Sequence, residues 1–163
     1  MILGIDVGLD GSAVLLDSEG SIVSKTVMPT IKTAKKRILD LSALYQWIRS
    51  EDEAHKIKHC YIEKVHAMPG NGAVSMYNFG YTAGVTEMCV AALGIPYTMV
   101  TPQEWTKKMH LGLSKDIGPK ERSLIVFKRK YPGVSFVLTD RSTKHHTGLV
   151  DALLIAEYGR GLV

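Results

Sequence analysis

The first 28 residues hold three β-rich runs, Ile2 to Val7, Gly11 to Asp17 and Ser21 to Met28, separated only by the turn signals Gly8 to Asp10 and Ser18 to Gly20. Connections this short join antiparallel neighbours, because a parallel return needs a crossover of a dozen residues or more. The chain therefore opens as a three-stranded antiparallel meander. Beyond it the period changes. Ile38, Leu41, Leu44, Tyr45 and Ile48 recur at helical spacing and predict an amphipathic helix from Thr33 to Arg49, with Thr33 as a possible N-cap. His59 to Val65 (HCYIEKV) reads as a buried strand, AMPGNG as a loop, Ala73 to Leu93 as a long helix and Ile95 to Val100 as another strand. Thr101 and Pro102 suit the cap and first turn of a short helix, and Pro119 opens the next one in the same way. Phe136 to Leu138 is too short to assign, the segment from Thr139 to His146 is polar and basic, and a last helix runs from about Thr147 to Tyr158. The order β-β-β-α-β-α-β-α-α-α, closed by right-handed crossovers, predicts an α/β fold with a five-stranded mixed sheet and helices on both faces.

A chain of 163 residues fits one domain and buries about 70% of its unfolded surface, enough to fold without staples. With 45% hydrophobic and 22% charged residues it is far from a disordered composition. Cys60 and Cys89 lie in apolar surroundings without metal-ligand spacing, so both read as buried free thiols in a reducing compartment. The first strand starts at Met1, leaving no room for a secretory leader, and no run reaches the ~18 apolar residues of a membrane span. The expected location is the cytoplasm, or a host's cytoplasm if the chain is phage-encoded, with no membrane partner and no small-molecule substrate. A net charge of +4 is a weak pointer to an anionic partner. The distribution is stronger: Lys107, Lys108, Lys115, Lys120, Arg122, Lys128, Arg129 and Lys130 face only Asp116 and Glu121 in that stretch, although a solvated helical face would read the same way.

Three acids stand out. Asp6 interrupts a strand otherwise made of Ile2, Leu3, Ile5 and Val7, and Glu63 lies near the end of a second apolar strand. An ionised group in such a place needs a partner or a metal. If the two strands are adjacent and parallel, both acids emerge at the C-terminal edge, where open α/β sheets bind ligands. Asp151 leads the apolar run ALLIA in the first turn of the last helix, where the helix dipole favours negative charge. Separately, Asp6 could begin a turn, Glu63 could pair with a lysine and Asp151 could simply serve the dipole. Together, in an order that brings them to one edge, they point to divalent cations. Mg²⁺ prefers oxygen ligands. Two ions about 3.5–4 Å apart suit phosphodiester hydrolysis.

The chain resembles the RuvC family of Holliday-junction resolvases, especially the phage and poxvirus-like branch, over nearly all its length. GIDVGLDGSAVLL is similar to the family's first motif, YIEKVHAMPGNG to its second, SMYNFGYTAGV to the glycine-containing helix after it, IPYTMVTPQEWTKKMHLG to the following strand and lysine-bearing helix, and VDALLIAEYGR to the final acidic motif. The resemblance implies a ribonuclease H-like (retroviral integrase superfamily) fold and a homodimer that cuts opposing strands of a four-way DNA junction with two Mg²⁺ or Mn²⁺ ions. Asp6, Glu63 and Asp151 would be the metal ligands. Lys64, Lys107, Lys108, Lys115, Lys120 and Arg122 would contact DNA, with His66 at the position of a base-stacking aromatic; phosphate contacts of this kind position without reading sequence. The helix from Ala73 would supply the dimer face through Met76, Phe79, Gly80 and Ala83.

One departure bears on catalysis. Family members carry another acid three or four residues before the last aspartate, and here those positions are Gly148 and Thr147. Thr147 lies about 40° around the helix from Asp151 and offers a neutral hydroxyl; His146 or His145 could serve instead as a ligand or could assist the attacking water. The chain is thus expected to be a junction-resolving endonuclease. The alternatives are a junction-binding protein with weakened or lost cleavage, and a broader nuclease for branched or flap nucleic acid.

Overall fold

A computed structural model describes residues 1–65, 70, 72–139 and 141–163. The meander forms as the short connections require: β1 (Ile2–Asp6) pairs antiparallel with β2 (Ser12–Leu16), which pairs with β3 (Ile22–Val27). The turn between β1 and β2 depends on glycine, because Gly8 has φ +141° and a Cβ on Gly11 would lie 2.1 Å from the Asp6 carbonyl oxygen.

The predicted helix from Thr33 divides differently. Residues 30–39 form a hairpin, β4 (Thr30–Lys32) against β5 (Arg37–Leu39), and α1 runs from Leu41 to His55. Thr33 closes the hairpin turn, its hydroxyl donating to the Lys36 carbonyl at 2.7 Å. The cap is Asp40, whose carboxylate accepts the Ala43 N–H at 3.0 Å. The helical period was therefore real only from Leu41 on; Ile38 lies in β5.

β6 (His59–Glu63) then enters parallel to β1, and α2 (Ala73–Ala92) leads to β7 (Tyr97–Val100), parallel to β6. The sheet order is β3-β2-β1-β6-β7. α3 (Pro102–Met109) begins with the Thr101/Glu104 capping box, and α4 (Pro119–Lys130) and α5 (Thr147–Arg160) follow. No helix among the described residues is long and apolar enough to cross a membrane.

Alternation along the strands sorts residues onto two faces. Leu3, Ile5, Cys60 and Ile62 pack with Leu44 and Ile48 of α1 and Ala83, Cys89 and Val90 of α2. Ile2, Val14, Leu16 and Tyr61 face α5, with Trp105, Phe127 and Phe136 completing that layer. By the same alternation Gly4 and Asp6 of β1, and Glu63 of β6, fall on the α5 side. Gly4 lets α5 sit directly on the strand: a Cβ there would meet the Ala152 carbonyl oxygen at 2.3 Å and the Ala156 nitrogen at 2.4 Å.

The far end of α5 is anchored by Glu157, whose carboxylate accepts from Lys130 Nζ and Arg160 Nε, each at 2.7 Å. Burial pushes this carboxyl up, but the hydrogen bonds and charges of Arg160 and Lys130 outweigh it and hold the group at about 2, against an ordinary 4.5. A depressed carboxyl stabilises the fold above the unfolded value and loses that contribution as pH falls toward about 2. Glu157→Gln should therefore lower stability at pH 7 by about 2–3 kcal/mol. Urea midpoints for the two proteins should converge as the pH is taken from above 4.5 down toward 2; an equal gap at both ends would contradict this role.

Candidate active site

The parallel register pairs Ile5 with Ile62, so Asp6 and Glu63 are the next step at the same edge and on the same face. α5 runs against the direction of β1, with Gly148 against Asp10 at that edge and Arg160 reaching the Ser18 carbonyl at the opposite end. Its N-terminal turn thus brings Asp151 to the two strand acids. Each acid acts on the others. Burial raises the Asp6 carboxyl well above 3.8, followed by the charges of Glu63 and Asp151 and a hydrogen bond with Glu63; only Lys120 opposes them. Burial likewise pushes Asp151 from 3.8 up to about 6, opposed by a hydrogen bond from Ser123 and by Lys120 and reinforced by Glu63. Among the described residues no three such side chains are drawn together into a ready cation cage. The acids are neighbours within electrostatic reach, and their donor set is all oxygen, which fits a hard divalent cation.

A chain of polar groups that sequence reading did not single out supports these acids from behind. Trp105, 3% exposed, donates its indole N–H to Glu63 Oε1 at 3.0 Å. Its ring stands edge-on to His110, centroids 5.8 Å apart, and His110 Nε2 lies 3.1 Å from the Ser123 hydroxyl that bonds Asp151. Burial lowers the His110 pKa and the Arg122 charge adds to this, so the ring is neutral at pH 7. The signal available in the sequence was weak: a buried tryptophan N–H needs an acceptor, but nothing local names it.

Thr147 is exposed and lines a cleft of about 650 Å³ with Asp151, Ser123, Lys120, Lys128, Lys144 and His145. His145 uses Nδ1 to accept the Phe136 N–H at 3.1 Å. His146 lies outside this cleft: it caps α5, its Nδ1 accepting the Leu149 N–H at 3.2 Å and lying 3.4 Å from Ser12 Oγ. Burial lowers its pKa, partly offset by Asp10. Gly148 has no room for a side chain, since a Cβ would meet the Asp10 carbonyl oxygen at 2.5 Å.

The basic residues separate. The charge of Lys120 acts on both Asp6 and Asp151. Lys107, Lys115 and Arg122 line a groove beside His110. Lys108 is directed elsewhere, its Nζ donating to the Gly161 carbonyl at 3.1 Å and lying over the Tyr158 ring. Lys64 is exposed beside Glu104. His66 lies outside the described residues.

Superposed on solved structures, the chain matches RuvC from Thermus thermophilus in complex with a Holliday junction substrate, with a TM-score of 0.66 and 15% identity over 96% of this chain and 90% of that one. It matches Thermus thermophilus RuvC alone with a TM-score of 0.62 and 16% identity over 96% and 91%. The fold is RuvC-like. No family model and no curated protein matches the sequence. In this RuvC-like frame Asp6 and Glu63 occupy the C-terminal edge of the sheet, and Asp151 approaches them from the N-terminal part of α5.

Of the α2 residues expected to form a dimer face, Met76 and Phe79 are half-buried and Gly80 is exposed. Ala83 is buried and Phe79 packs on the core, whereas Val74, Tyr77, Tyr81 and Met88 are 76%, 72%, 48% and 62% exposed. With Gly84 they form an exposed stripe at alternating three- and four-residue spacing, the pattern of a helix–helix seam.

Proposed function

We propose that the protein is a structure-selective endodeoxyribonuclease that resolves four-way DNA junctions by paired, divalent-metal-dependent phosphodiester hydrolysis. The observation that carries this is the convergence of Asp6, Glu63 and Asp151 on one edge of a RuvC-like sheet. These carboxylates would hold Mg²⁺ or Mn²⁺, which when bound supplies Lewis-acid activation for hydrolysis of the phosphodiester. The chain's own groups do the rest. Trp105 and Ser123 orient Glu63 and Asp151, and Lys120, which lines the same cleft as Asp151, attracts the scissile phosphate. Lys107, Lys115 and Arg122 extend the positive surface along a DNA arm. The stripe on α2 would join two copies, placing two sites for opposing strands, as in a homodimer; Tyr81→Asp should then yield a monomer by light scattering. Purified protein should nick a synthetic four-way junction symmetrically with Mg²⁺ or Mn²⁺. Absence of divalent-dependent cleavage of any branched DNA would end this reading, and faster cutting of flaps or RNA–DNA hybrids would redirect it.

A second reading, junction binding with weakened cleavage, is favoured by the crowding at Gly148 and the neutral hydroxyl of Thr147. Because Thr147 shares the Asp151 cleft, Thr147→Asp should raise Mg²⁺-dependent cleavage by about tenfold, equivalent to about 1.4 kcal/mol at the transition state. If the wild type cuts as fast as the variant, the set of ligands is complete without a fourth acid.

A further inference from the structure

The hairpin of β4 and β5 has no part in the site described so far, yet it carries Lys32, Lys35, Lys36 and Arg37 within six residues. All four are exposed. Register places Lys32 directly opposite Arg37, a like-charge cross-strand pair that destabilises a hairpin unless something offsets it. Only Arg37 has a carboxylate, Asp10, in an ion pair; among the described residues Lys32, Lys35 and Lys36 have none. The turn is nevertheless well fixed: Thr33 Oγ1 donates to the Lys36 carbonyl and accepts the Lys36 N–H at 3.1 Å. The hairpin thus holds three unneutralised cations in a defined arrangement, and the Arg37–Asp10 pair clamps it to the turn that follows Asp6. Asp10 also touches the start of α5, through the contact of its carbonyl with Gly148. The hairpin therefore stands beside the acid edge, on the meander side, whereas Lys107, Lys115 and Arg122 belong to α3, α4 and the segment joining them.

We propose that the β4–β5 hairpin is a second DNA-binding element, in which Lys32, Lys35 and Lys36 hold backbone phosphates of a duplex arm beside the acids. A polyanion is the partner whose charge complements this arrangement: regularly spaced phosphates neutralise several fixed cations at once, and release of their counterions drives binding. A purely solvated face would gain nothing from the like-charge pair at Lys32 and Arg37. The choice of DNA rests on the nuclease reading above; the need for a polyanion does not.

The test uses the whole protein, a synthetic four-way junction and EDTA, with binding followed by anisotropy over a range of KCl concentrations. Replacing Lys32, Lys35 and Lys36 together by alanine should make the slope of log K against log[salt] shallower by about 2–3, at about 0.9 per lost phosphate contact. The unfolding midpoint should stay or rise, since the like charge opposite Arg37 is gone, and replacement by arginine should keep the slope. An unchanged slope overturns the hairpin assignment and leaves the nuclease reading standing if the wild type cuts junctions. A slope loss accompanied by a lowered midpoint also overturns it, because the lysines would then be structural. A slope loss at constant stability in a protein that cuts no branched DNA supports the hairpin and ends the nuclease reading. If the wild type binds no DNA, both fall.

Discussion

Asp151→Asn should make the protein more stable and catalytically inert. At pH 7 the native state keeps Asp151 ionised although its carboxyl has been pushed from 3.8 to about 6, first by burial and then by Glu63, against the hydrogen bond from Ser123. Converted at 1.36 kcal/mol per pKa unit, this amounts to about 3 kcal/mol of destabilisation in the absence of a cation. The sign follows from linkage. A carboxyl whose folded pKa is raised binds its proton more tightly when native, so the penalty is absent below about 3.8, grows as pH rises and is complete above about 6. Asparagine keeps the shape and a hydrogen-bond acceptor for Ser123 without the charge. In EDTA its unfolding midpoint should exceed that of the wild type at pH 7 by several degrees, about 1–3 kcal/mol, with the gap closing as pH falls to 4. Junction cleavage should fall about 10³-fold, the loss of about 4 kcal/mol at the transition state. A variant that is destabilised, or whose margin ignores pH, would remove Asp151 from the acid cluster; one that still cuts would remove it from the chemistry.

Gly4→Val should be among the most damaging substitutions in the core although it adds only apolar atoms. The atoms a Cβ would meet, the Ala152 carbonyl oxygen at 2.3 Å and the Ala156 nitrogen at 2.4 Å, are backbone and cannot rotate away. α5 would have to lift from β1, opening the layer that contains Leu153 and Ala156 and shifting Asp151 from Asp6. Overpacking of side chains typically destabilises by about 1–3 kcal/mol, and a clash between main chains should exceed that range. Chemical denaturation is the direct measurement. A loss under about 1 kcal/mol would mean that α5 tolerates a wider spacing. Cleavage should drop with stability, because the same contact that packs the core sets the separation of the acids.

Much of this arrangement was legible along the chain. Three runs joined by turn-length connections could only form a meander, and single acids in apolar strands marked Asp6 and Glu63, because burying a lone charge needs a reason that local structure does not supply. The limits of the helical period were less legible. Ile38 continues the spacing of Leu41, Leu44 and Ile48, yet the cations from Lys32 to Arg37 interrupt it and Asp40 supplies the cap. The split of α2 between covered and open faces was not legible for a related reason. A helix apolar around most of its circumference does not declare which stripe the sheet will cover.

What the sequence determined by itself was the order of elements outside the β4–β5 hairpin and the edge of the sheet at which Asp6 and Glu63 emerge, since these follow from connection length and from single acids at the ends of apolar strands. The tertiary structure decided everything that depends on contact between distant segments. It set Trp105 on Glu63 across 42 positions, Ser123 on Asp151, the cap at His146, the absence of space at Gly148 and the clamp of Arg37 on Asp10. Partners of this kind are chosen by how α3, α4 and α5 pack over the sheet, and packing is a property of whole faces that no local pattern encodes.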